Sequence, residues 1–481
     1  MSLSGALNVA LTGLQTSTTA VQVISGNVSN AHTVGYTEKT VNLESISAGS
    51  SLGGVAISGY SRVTDAVLST TLNNATSAAS YLSTQNGYMS QVQSILDSTD
   101  DPPALSADLS NFQAAWTQYA ASPSDVTLQK SLVAAGQVLA ATVGTISSAT
   151  STLETNVKTD LSTTVGSLNT ALSNIQTLNN EITTAQSDGQ PTVDLQDERD
   201  QAVSQVSQYC SVTVMPRQNG QVALYTTSGV PLVDGPAQVF SVNPNGDGIV
   251  NNVGGDVTGA LSGGTLQAQT DFLSTSTSTA NGVGVIDKIQ SQLTAFANMF
   301  VSPATGGFAD TYDNSATGSS GELASSFFTA STDANGNITD LSSFAVNAAL
   351  VAGTSTVKSE VASNVSNTFT ASNLAINTGT TPPSTSTTFT ANGLTATNQT
   401  YGGIATAILS GFQQQANAIK SQTATASSQQ AYYQNTLSSE TGVNTDTELV
   451  NLTNWENSYS ASAHVISTIQ SMMQTLEGII Q

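Results

Sequence analysis

The sequence predicts a mainly α-helical chain with inserted β structure, its two terminal helices paired in coiled-coil fashion around a bundle of long helices. Three observations lead there. Leu3, Ala10, Ser17 and Ile24 share one position of a seven-residue repeat, with Leu7, Leu14, Val21 and Val28 four residues on. The far end repeats the pattern, with Leu452, Tyr459, Ile466, Met473 and Ile480 in one register and Trp455, Ser462, Ile469 and Leu476 in the other. Between them, apolar residues recur at helical spacing until residue 210, where the period drops to two.

The first heptad segment carries no Asp, Glu, Lys or Arg through residue 37, and no Lys or Arg follows Lys420. Salt bridges therefore cannot set the pairing, which must rest on apolar seams with uncharged flanks. Alone in water such a helix is marginal, because it also contains Gly5, Gly13 and several Thr. Whether the heptads pair once within a monomer or between copies is left open by the pattern itself. At the other end, TDTE at 445–448 predicts a capping box that starts the last helix, with Asp446 and Glu448 in its first turn.

Inside the termini, residues 61–100 and 105–210 read as long helices separated by DDPP at 100–103. Leu105, Leu109, Phe112, Trp116 and Tyr119 recur at helical spacing, and SPSD follows, where Ser122 is placed to cap a new helix with Pro123 at its first position. In SVTV and VALY, Val212 and Val214 face Val222 and Leu224 across a turn at Asn219-Gly220, so residues 211–265 read as a small β domain. Helix returns at 266–301 and 401–440, whereas the Ser/Thr/Asn/Gly-rich stretch 302–400 reads as loops and short strands of the outer part. The predicted organisation is nested: 1–45 with 441–481 as a terminal coiled-coil unit, 46–210 with 266–301 and 401–440 as a long-helix domain, and the β material inserted mid-chain.

Composition excludes several classes of function. Only 9% of the 481 residues are charged, and 9 basic against 32 acidic residues give a net charge of −23. That charge repels phosphate backbones and anionic membranes, so nucleic acid is not expected as a partner, and with no run of about 18 apolar residues neither is membrane insertion. The N-terminus lacks a basic segment ahead of its apolar residues, so it does not read as a cleavable signal peptide. Cys210 is the only cysteine, which leaves no internal disulfide and no cysteine zinc site.

Chemistry-bearing constellations are sparse. With only His32 and His464, acid–base or triad catalysis has almost no candidates, and the two form a metal pair only if the termini lie together. Asp194, Asp197, Glu198 and Asp200 cluster around Arg199 and read as a solvated helix start. DANGNITD at 333–340 has the Asp333, Asn335 and Asn337 of a calcium loop, but Ile338 and Phe344 stand where its Gly and Glu belong. The Gly-rich VGGDVTGALSGGT lacks a phosphate-loop pattern, and NVS at 27–29 and NAT at 74–76 match the glycosylation acceptor only as short patterns. No catalytic residue, metal or cofactor is expected.

The opening ISGNVSNAHTVGYTEKT resembles the N-terminal signature of the bacterial flagellar axial proteins through Ser25, Asn27, Asn30, Thr33, Gly35 and Tyr36, with Val34 where many members have Pro. The C-terminal segment resembles their other end through Val443, Asn444, Glu448, Leu452, Tyr459, Ala463, Ile466 and Leu476. LSNFQAAWTQYAASPSD, VDLQDERDQAVSQVSQYC and NGQVALYTTSGVPLVDG resemble the hook-associated members of that family. The resemblance implies a structural role and no enzyme. It implies export through the flagellar type III apparatus, with an export chaperone on the C-terminal helix, and assembly with further copies of the chain as a layer between the hook protein and the second junction protein. The assembly interface it implies comprises Leu3, Leu7, Leu14, Val21, Ile24, Asn27, Val28, Asn30, Gly35 and Tyr36 with Leu452, Trp455, Tyr459, Ile466, Ile469, Met473, Leu476 and Ile480.

Overall fold

The computed structural model describes residues 3–48, 51–96, 104–274, 283–301, 307–313, 321–323, 325–334, 336–371 and 388–480. Helix α1 (Leu3–Asn30) is followed by a ribbon of β1 (Lys39–Ala48) and β2 (Ser51–Arg62), which the sequence reading did not anticipate. Alternation in KTVNLESIS and VAISGYSR is broken by two register shifts, which hides the period of two. The strands end at Arg62, so α2 (Ala66–Ile95) begins later than the predicted 61, with Asp65 accepting hydrogen bonds from the amides of Val67 and Leu68.

Helix α3 (Ala104–Ala121) buries Leu105, Leu109, Phe112, Trp116 and Tyr119, as its spacing predicts. The predicted break at 100–103 lies outside the described residues. A turn at 122–125 precedes the 62-residue α4 (Val126–Ser187). Its cap is Asp125, not Ser122: the Asp125 carboxylate takes the amides of Thr127 and Leu128, while Ser122 closes the preceding turn by donating its amide to Tyr119. At 1.5 Å per residue α4 is a strut of roughly 90 Å. Its most apolar stretch is hydrophobic enough to cross a bilayer, yet the buried stripe from Leu132 to Ile182 is taken up by neighbouring elements along its whole length.

Helix α5 (Val193–Tyr209) folds back along the end of α4 and leads to an antiparallel sheet of β3 (Val212–Pro216), β4 (Val222–Thr226) and β5 (Pro231–Val233), then to the ribbon β6 (Phe240–Val242) and β7 (Ile249–Asn251). The hairpin read from the sequence forms, with Val214 opposite Leu224, Val212 opposite Thr226 and Val222 opposite Pro216, and Asn219 and Gly220 both take positive φ in the connecting turn. The backbone of this domain is sewn to α4 by amide side chains: Asn179 binds both backbone groups of Val222, and Asn169 both groups of Phe240.

Helices α6 (Gly264–Leu273) and α7 (Val285–Val301) return to the bundle. The outer part holds α8 (Phe308–Asp313), the ribbon β8 (Phe328–Thr332) and β9 (Ile338–Val346), α9 (Ala348–Val351), α10 (Ala362–Thr368) and the ribbon β10 (Thr388–Ala391) and β11 (Leu394–Thr397). Short strands read from the composition are present here, and short helices and a packed core accompany them. The few aromatics of the stretch converge: Phe308, Tyr312, Phe327, Phe328, Phe344 and Phe369 pack edge-on and tilted around Phe112, Trp116 and Phe300. Asp333 accepts from Asn337 within the β8–β9 turn, so this site of calcium-like sequence closes on itself.

Helix α11 (Tyr401–Thr441) runs beside α2, and after Gly442–Asn444 the chain enters α12 (Thr445–Ile480), which packs on α1. The predicted capping box is not formed. Asn444 caps α12 by accepting the amides of Asp446 and Thr447, which leaves Thr445 inside the first turn and frees Glu448 to point inward.

Candidate assembly site

Helices α1 and α12 meet along a seam of small side chains. Ala10, Ser17, Ala20, Ile24 and Asn27 are buried, and a Cβ added at Gly13 would stand 3.1 Å from the Ser462 hydroxyl. The position shared by Ala10, Ser17 and Ile24 is therefore the predicted one. Its companion is Gly13, Ala20 and Asn27, three residues on, in place of the predicted Leu7, Leu14, Val21 and Val28. The reason is steric, since backbones that approach this closely have no room for Leu between them. Leu3, Leu7, Leu14 and Val21 are only half-buried beside the seam, and Val28 is exposed.

On α12, Ile469 is buried and Leu452, Trp455 and Ile466 are half-buried, whereas Tyr459, Met473 and Leu476 are exposed. Leu449, Val450, Val465 and Met472 are exposed as well, each at 46–62%. Ile480 is helical, and its side chain lies outside the description. His32 and His464 are both exposed, and among the described residues no group of three metal-ligating side chains occurs.

The polar turn after α1 is built around Asn27. Its Nδ2 donates to the Lys39 carbonyl at 2.8 Å, and its Oδ1 accepts from the Lys39 amide at 3.1 Å and from the Tyr36 hydroxyl at 3.0 Å. A side chain committed in this way and fully buried is no glycosylation acceptor. Asn30 turns back to the Gly26 carbonyl and accepts from Thr33. Gly35 has φ +80°, and a Cβ there would strike the Gln201 side chain at 2.5 Å; Gln201 in turn donates to the Val34 carbonyl. Tyr36 lies beneath the Lys39 ammonium, 4.0 Å from the ring centroid, and burial raises its hydroxyl pKa.

Glu448 reaches the same node from α12. It is 2% exposed and lies beside the Asn27 amide, and its Oε2 has no partner. Burial first, then the charge of Glu38, raises its pKa against the pull of the Asn27 side chain.

The acidic run on α5 is a docking surface, which corrects its reading as a solvated helix start. Asp197 is buried and accepts from the Thr37 hydroxyl at 2.8 Å and from Arg62 at 2.8 Å, with the Lys39 ammonium at 3.5 Å. Lys39 also pairs with Asp194, and Arg62 with Asp200 at 2.5 Å and Gln196 at 3.1 Å. Burial disfavours both cations, but the carboxylates outweigh it and hold their pKa values above the ordinary range. Arg199 shares Asp200 with Arg62 and donates on its other side to the Gly220 carbonyl. The partners are remote in sequence, so nothing local in DLQDERD announces them.

Known proteins match this chain in three segments. Residues 7–37 match the family model described as flagella basal body rod protein, residues 434–479 the flagellar basal body rod FlgEFG protein C-terminal model, and residues 89–304 the flagellar hook-associated protein FlgK helical domain. The matched ends, folded together as one helix pair, define an axial protein of the bacterial flagellum. Its interior assigns it further: the chain belongs to the flagellar hook-associated protein 1 family. Over 240 residues it is 28% identical to flagellar hook-associated protein 1 of Salmonella typhimurium, covering 48% of this chain and 43% of that protein. Against the Bacillus subtilis protein of the same name it is 26% identical, covering 47% of each. The chain thus aligns with less than half the length of these relatives. The structure of the flagellar hook junction protein FlgK from Burkholderia pseudomallei matches 55% of this chain and 47% of its own, at 25% identity and a TM-score of 0.44.

Proposed function

We propose that the chain is a structural adaptor of the flagellum, polymerising outside the cell at the distal end of the hook to join hook and filament. The observation that supports this best is the apolar flank left over once α1 and α12 have paired. Tyr459, Val465, Met472, Met473 and Leu476 are each 45–51% exposed along one terminal helix, a load that a solvated helix does not carry without a partner. Further copies of the chain supply that partner, with hook protein on one side of the layer and the second junction protein on the other. The chain reaches the site through the flagellar export apparatus, with a chaperone covering the C-terminal helix on the way. The family models matched at the two ends are described as rod proteins, which fits a rod or hook subunit equally well. The interior match to the helical domain favours the junction.

Deleting residues 1–30 or 450–481 tests this reading. Cells carrying either truncation are expected to export the protein, lose its incorporation at the hook tip and shed filament subunits. Normal filament attachment would sink it. Immunogold label along the whole hook would move the assignment to a hook protein.

A further inference from the structure

The terminal unit, comprising α1, the β1–β2 ribbon and α12, joins the rest of the chain covalently at two short crossings, 63–65 and 442–444. Every named bond between it and α5 is polar: Gln201 to Val34, Asp197 to Thr37, Asp194 and Asp197 to Lys39, and Gln196, Asp197 and Asp200 to Arg62. A chain with nine basic residues spends two of them, one from each strand of the ribbon, on a single buried carboxylate. Apolar packing would tolerate gradual sliding, whereas a bidentate guanidinium on two carboxylates is either seated or released.

The geometry points to a lock on a hinge. The Asp197 hub, with Lys39 and Arg62, holds the terminal unit at one angle to the body, and its release lets the unit swing about the two crossings, whose few loop residues absorb the rotation. The inference concerns the single chain and holds whichever partners it meets. It gives an assembled subunit two discrete settings of its terminal helices against an unchanged body.

The test uses full-length monomer carrying spin labels at Glu44→Cys on the ribbon and Ser173→Cys on α4, both exposed positions. Cys210 is fully buried and stays unlabelled while the body is folded, so the label count reports body integrity. The parent chain is expected to give one narrow distance distribution by pulsed electron resonance. Asp197→Asn/Asp200→Asn and, from the opposite side, Arg62→Gln are each expected to roughly double its width or add a second distance, with Cys210 still protected. Distributions that stay narrow in both variants would overturn the lock. So would a parent already broad at low salt, or broadening that coincides with Cys210 labelling, which would make the cluster a support of α5 alone.

Discussion

Asn27 brackets Lys39, giving its amide to the Lys39 carbonyl and taking the Lys39 amide on its own oxygen, so that a side chain of α1 serves as the strand partner of the first residue of β1. Two segments twelve residues apart are thereby fixed as one corner. Asn27→Ala strips partners from both backbone groups and from Tyr36. With one to three kcal/mol for each of the two buried backbone groups left unsatisfied, the loss should be about 2–6 kcal/mol of terminal-unit stability. Amide exchange at Lys39 should accelerate accordingly while exchange in α4 stays unchanged.

Glu448 makes the helix pair sensitive to acid in the reverse of the usual carboxylate sense. Its pKa in the folded chain lies above the ordinary 4.5. The unfolded chain therefore gives up this proton first, and the group's contribution is greatest below about pH 4.5 and is lost as pH rises through the folded value. Glu448→Gln should stabilise the α1–α12 pair at neutral pH and remove this dependence. The difference in pair stability between parent and variant, followed from pH 4 to 8, is the measurement; a constant difference contradicts the assignment.

Gly136 on α4 faces the aromatic core, where an added Cβ would come within 2.9 Å of Phe327, 3.1 Å of Val346 and 3.2 Å of Phe112. The gain in helix propensity from Gly136→Ala, about 1 kcal/mol, is set against overpacking that typically costs about 1–3 kcal/mol. Net destabilisation of the outer part is expected, seen as a lower denaturant midpoint by tryptophan fluorescence of the buried Trp116.

Cys210 ends α5 at 0% exposure, and burial pushes its thiol pKa up to about 12. The native chain should be inert to thiol reagents at neutral pH and react with one equivalent only after denaturation. Reaction in the folded state would show that the end of α5 opens.

Strong periodicity was legible. The helices α1, α3, α4, α11 and α12, and the β3–β4 pairing, follow from spacing because each buries its stripe against whatever neighbour arrives. Features decided by a remote partner were not. Thr445 and Glu448 satisfy a capping pattern, yet burial draws Glu448 toward Asn27 and Asn444 takes over the cap. Asp197 looks like any helix-start carboxylate until Arg62, 135 residues earlier, is brought to it. The register of α1 was half legible for a similar reason: hydrophobicity scores favour Leu at the seam, while the closeness of α12 favours Gly and Ala.

That choice of small residues has a consequence for growth. A seam closed by Gly13, Ala20 and Ser462 is complete within one chain and leaves the leucine side of α1 and the methionine side of α12 unspent. In the proposed assembly, folding of the subunit and addition of the next one then draw on different surfaces. A copy joining that proposed array is received without any resident helix pair having to open, and its lengthening need not pass through exchanged helices.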